Sequence, residues 1–135
     1  MNWKLIFSLS LFGLAMAIAT VYWIPSNIEW VFWLLIFIFC AWRIALKAPG
    51  KYFLHGFLTS LVNCVWITSA HILLVHTYAA NHTKEMDSMV TMPMGNHTRM
   101  WMAIIGPITG IISGLVLGLF AYTAAKMMKK PARLQ

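Results

Sequence analysis

The sequence predicts an all-α fold: a four-transmembrane-helix bundle with the N-terminus and C-terminus cytoplasmic. Three observations predict it. Of the 135 residues, 61% are hydrophobic and 10% are charged, with a mean hydropathy of +0.75. A soluble domain carries about 25% charged residues, so this chain lacks the charge to coat a water-facing surface. Its apolar residues gather in four runs, each of the roughly 20 residues that a helix needs to cross about 30 Å of hydrocarbon. The runs are continuous rather than alternating, which excludes a β-barrel, and lipid offers backbone groups no partner outside a helix.

The first run extends from Trp3 to Ile24 and stops at Pro25-Ser26-Asn27. Lys4, the apolar stretch and Ala15-Met16-Ala17 also fit a secretory signal; the run is read here as a retained span. The second covers Ile28 to Leu46 and stops at Lys47-Ala48-Pro49-Gly50-Lys51. The third covers Tyr52 to Ala80, and the fourth Met100 to Ala125. Residues 81–99 remain as one outer loop, and residues 1–135 form a single integral membrane domain.

Orientation follows from the basic residues. With the N-terminus inside, Lys4, Arg43, Lys47, Lys51, Lys126, Lys129, Lys130 and Arg133 are cytoplasmic, while Lys84 and Arg99 are outside. This is a strong positive-inside bias. The net charge of +7 is thus spent at the ends of apolar runs, and the partner it implies is the lipid bilayer and no nucleic acid. Trp3, Trp42, Tyr52 and Tyr122 mark the inner boundary, and Tyr22, Trp23, Trp30, Tyr78 and Trp101 the outer one, as in an aromatic belt. Cys40 and Cys64 form no CxxC pair and read as small buried hydrophobes.

The fourth run carries a glycine ladder at Gly106, Gly110, Gly114 and Gly118. Glycine costs roughly 1 kcal/mol in a helix interior relative to alanine, and the four-residue spacing keeps all four close to one face. Such a face lets another backbone approach closely. The partner is either a second copy or larger membrane complex, or the small residues Gly13, Ala15, Ala17 and Ala19 of the first helix. Pro107 is placed to kink the fourth helix.

The third run is the most polar. His55, Thr59 and Asn63 share one face, with Ser60, Cys64 and His71 on a neighbouring one. Polar groups in a membrane face the bundle interior, so the third helix is expected to be central. The ordinary reading is hydrogen-bonded packing; the functional one is a path for a small solute along Thr59, Asn63 and His71. His55 and His71 stand about 24 Å apart along the axis and cannot share a metal. No Asp or Glu lies deep in a span, so carboxylate-driven antiport lacks its proton carrier.

Six of the ten methionines lie between Met86 and Met102. Thioethers and imidazoles suit Cu(I) or Ag(I), which makes His82, Met86, Met89, Met92, Met94 and His97 a candidate metal set and copper the candidate ion. The ordinary reading is methionine as adaptable apolar filler at the membrane surface. Asn81-His82-Thr83 and Asn96-His97-Thr98 match the N-glycosylation sequon, which carries no meaning in a bacterial inner membrane.

The stretch Gly50-Lys51-Tyr52-Phe53-Leu54-His55-Gly56-Phe57, with Asn63, His71 and the segment from Gly106-Pro107-Ile108 to Gly118, resembles small four-helix integral membrane proteins of Bacteroidetes that make up a domain-of-unknown-function family. The resemblance covers most of the chain. It implies a bacterial inner (cytoplasmic) membrane and transfers no functional residue. The functional expectation is a non-enzymatic protein that acts through helix association, as accessory subunit or homo-oligomer. Its alternatives are a soft-metal module built on the Met/His loop, and a small-solute channel or carrier along the third helix.

Overall fold

Each helix begins and ends where the sequence supplies a stop. In the computed structural model, which describes residues 1–93 and 95–128, Asn2 caps α1 (Trp3–Tyr22) by accepting the Leu5 N–H over 3.1 Å. Pro25, extended, starts α2 (Ser26–Lys47). Extended Ala48 ends it, and Gly50 (φ 138°) with Lys51 (φ 49°) reverses the chain into α3 (Tyr52–Leu73). The remaining helices are α4 (Val75–Asn81), α5 (Thr83–Val90) and α6 (Thr98–Met128). No strand occurs among the described residues.

Four of these helices, α1, α2, α3 and α6, are long and apolar enough to cross a membrane, the architecture of an integral membrane protein. Phe7, Leu11, Leu35, Ile38, Ile112 and Leu119 stand exposed around the bundle, an arrangement that only a lipid solvent makes favourable.

Two expectations need correction. The third span does not run unbroken to Ala80: the helix is interrupted at Leu74 (φ −104°, ψ 29°), and α4 sets off anew. Residues 81–99 are not all loop, because α5 occupies Thr83–Val90. There Met86, Met89 and Val90 fall three and four residues apart, the spacing of a short amphipathic helix. The starts at Trp3 and Tyr52 are as expected, the other boundaries shift by one to three residues, and α6 continues through Pro107.

The helix order across the bundle is α1, α3, α6, α2. Helix α3 packs on α1 and α6, and α2 leans on α6. The buried core at the end bearing Lys47 joins Leu5 and Leu9 of α1, Cys40, Ala41 and Ile44 of α2, and Leu117 and Ala121 of α6. Cys40, Ala41 and Ile44 are also the buried residues of α2. Helix α2 is therefore pinned at its C-terminal half and stands off from α3 along its N-terminal half, and that separation creates the site.

Candidate functional site

The glycine ladder sets how closely α6 approaches α3. A Cβ at Gly110 would meet Cys64, one at Gly114 the Phe57 ring at 2.9 Å, and one at Gly118 the Phe53 ring and carbonyl at 2.9 Å. Gly106 faces Thr68 in the same way. From the other side, a Cβ at Gly56 would lie 2.6 Å from the Leu117 carbonyl oxygen. The sequence left a second copy, a larger complex or α1 open as the ladder's partner; its four glycines instead face α3 within one chain. A second copy could not use that face without displacing α3.

Hydrogen bonds reinforce the seam. The Ser60 and Ser113 hydroxyls are 2.8 Å apart, and the Cys64 thiol donates to the Gly106 carbonyl at 2.9 Å. Without a hydrophobic force between helices in lipid, close packing and such bonds hold the pair.

The polar stripe divides between two neighbours of α3. His55 accepts the Asn2 backbone N–H at Nε2 (3.0 Å), which leaves its Nδ1–H to donate to the Lys51 carbonyl (3.0 Å). Thr59 donates to the His55 carbonyl at 2.7 Å and is wholly buried. Asn63, 2% exposed, lies against Gly13 of α1, and neither its amide nitrogen nor its oxygen has a hydrogen-bond partner. Trp66 Nε1–H donates to Ser10 at 3.2 Å. These residues serve mainly the α1–α3 seam. Of the three residues of the expected path, Asn63 and His71 border open space and Thr59 does not.

That space is a cavity of about 840 Å³ between α2, α3 and α6. Its α2 wall includes Trp33, Leu34 and Phe37, its α3 wall Ser60, Cys64 and Ile67, and its α6 wall Ile105, Thr109 and Val116. Tyr78 of α4 and Met89 of α5 close its outer end, beside Glu29 and Trp30 at the start of α2. The lining is mostly apolar with a few polar groups, and the volume falls in the range of roughly 300–1,000 Å³ typical of small-molecule sites. Sequence reading missed it because the gap comes from the splay of α2, whose apolar residues look alike whether they face lipid or a cavity.

The outer end is ordered by rings. His71, Tyr78 and His82 stack, with centroids 4.3 Å and 4.2 Å apart along the series. Thr20 Oγ lies 3.4 Å from His71 Nε2, and the Asn81 amide donates to the Val21 carbonyl at 2.7 Å. Burial, and then the Glu29 and Glu85 carboxylates, push the Tyr78 phenol up to about 12. The nearby Ser26 hydroxyl chiefly holds the Glu85 carboxyl below its usual range.

The described members of the expected soft-metal set do not border one common space. His82, 2% exposed, stacks on Tyr78 with Nδ1 at 3.3 Å from the Tyr78 carbonyl. Met89 borders the large cavity, whereas Met86 and His97 border a second, outer pocket with His76 and Met100. Met92 borders neither of the two, and Met94 lies outside the described residues. Among the described residues no three His, Cys, Asp or Glu side chains come together as metal ligands. No protein-family model, curated protein or solved structure matches the chain.

Proposed function

We propose that this chain is a non-enzymatic protein of a bacterial inner membrane that binds a membrane-dissolved amphiphile between α2, α3 and α6. The observation that carries the reading is the cavity of about 840 Å³, mostly apolar with scattered hydroxyl and amide groups along its length and with Glu29, His71 and Tyr78 at its outer end. A molecule with an alkyl body and a polar head matches that arrangement, and the splayed half of α2 gives it a lateral entrance from the lipid. Both termini are cytoplasmic in this reading. Lys4, Arg43, Lys47, Lys51 and Lys126 belong to the helix ends on one side of the bundle and Lys84 and Arg99 to the other, which supports that orientation through the positive-inside rule.

The test is photolabelling of the reconstituted full chain with dodecanol bearing a mid-chain diazirine. Labelling is expected to concentrate on Phe37 and Ile67 inside the cavity and to fall in Val116→Trp, whose indole would fill the space. Labelling spread evenly over lipid-facing Leu11, Leu35 and Leu119, and indifferent to Val116→Trp, would contradict the reading.

A further inference from the structure

The outer end of the cavity has a chemistry of its own. Glu29 is the carboxylate on its wall among the described residues, and no Lys or Arg borders it. Trp33 Nε1–H donates to Glu29 Oε1 at 3.0 Å, which anchors the carboxylate to the aromatic wall. Trp30 spends its own Nε1–H on the Asn27 carbonyl at 3.1 Å, so its ring is what it offers a ligand. Tyr78 borders the same end from α4, with its ring faces covered by His71 and His82.

Glu29 stands in the first turn of α2, where the helix dipole favours a negative charge. No ion pair neutralises it among the described residues. A carboxylate beside apolar space is costly unless something pairs with it. Aromatic faces add negative potential and attract organic cations, the basis of aromatic cages for quaternary ammonium groups. An anionic head would be repelled by both elements, and a neutral hydroxyl could donate to Glu29 but would gain nothing comparable from the ring faces. Away from this end Leu34, Phe37 and Val116 give the wall a mostly apolar character, interrupted by Ser60, Asn63 and Ser113, with room for a chain.

We infer that the amphiphile is an organic cation, its ammonium head held between Glu29 and the Trp30 and Trp33 rings while its alkyl chain extends toward Phe37 and Val116. This rests on the cavity being a binding site, and the experiment separates the two. The photolabelled full chain is challenged with dodecyltrimethylammonium, dodecanol or dodecanoate at equal membrane content. The ammonium compound is expected to protect Phe37 and Ile67 at about tenfold lower concentration than the alcohol, with the carboxylate weakest. Glu29→Gln is expected to bring the ammonium compound to the level of the alcohol. Trp30→Leu, at an exposed position, is expected to reduce the preference severalfold. Equal protection by alcohol and ammonium compound, or a preference unchanged in both variants, would overturn the cation while leaving the cavity as a site. Absence of cavity labelling in the unaltered chain would overturn both.

Discussion

Gly13 of α1 lies beneath the carboxamide of Asn63 on α3, so close that a methyl group at position 13 would stand 2.7 Å from Asn63 Cγ. The absent side chain on one helix makes room for a polar one on the other. Asn63 then lies 2% exposed with its amide unpartnered, and a buried group in that state costs on the order of 1–3 kcal/mol.

Gly13→Ala is therefore expected to destabilise the bundle by about 1–3 kcal/mol, the usual cost of overpacking. In an Asn63→Gly background the same change should cost less, since the Oδ1, Cγ and Cβ atoms it strikes are all gone. Reversible unfolding of the four chains in mixed micelles measures the coupling, and an equal cost in both backgrounds would rule out this contact.

On the α3–α6 seam the glycines should differ in what they tolerate. A Cβ at Gly56 meets backbone, the Leu117 carbonyl at 2.6 Å and Gly118 Cα at 2.9 Å, whereas one at Gly106 meets first the side chain of Thr68. A side chain can rotate and a backbone cannot. Gly56→Ala should thus be the more destabilising of the two, by more than about 1 kcal/mol. Thermal unfolding of the purified variants decides it; a harsher effect at Gly106 would contradict this geometry.

The four spans, the close approach announced by the ladder and the central position of α3 were all legible from the sequence. Periodic apolar runs and four-residue glycine spacing are local signals, and they survive folding. The ladder's partner was not legible, because Gly13, Ala15 and Ala17 on α1 offered the same small surface as the α3 face that won. Helix α5 was hidden because Met86 and Met89 read equally as thioether ligands and as one face of a short helix. The cavity had no signal in the chain: Trp33, Phe37, Ile67 and Val116 gather only because α2 is buried at Cys40, Ala41 and Ile44 and free above them.

Acid should loosen α5. The Glu85 carboxyl is held below its ordinary value, mainly by the Ser26 hydroxyl. A lowered folded-state value means that the charged Glu85 contributes stability that is present above the ordinary carboxylate range and is lost as pH falls through the folded value. Amide exchange across Thr83–Val90 is expected to accelerate as pH drops through that window, after correction for intrinsic rates. Ser26→Ala should move the change to higher pH. A profile indifferent to Ser26 would contradict this effect.

Everything above requires the chain to cross a bilayer an even number of times with α5 opposite the turn between α2 and α3. Single cysteines at Asn27, Lys47 and Ser88, introduced in turn into a chain lacking Cys40 and Cys64, test this directly in sealed right-side-out vesicles. A membrane-impermeant maleimide is expected to label positions 27 and 88 from outside, and position 47 only after permeabilisation. Labelling of 47 and 88 from the same side would contradict the four-span arrangement and the cavity reading that depends on it.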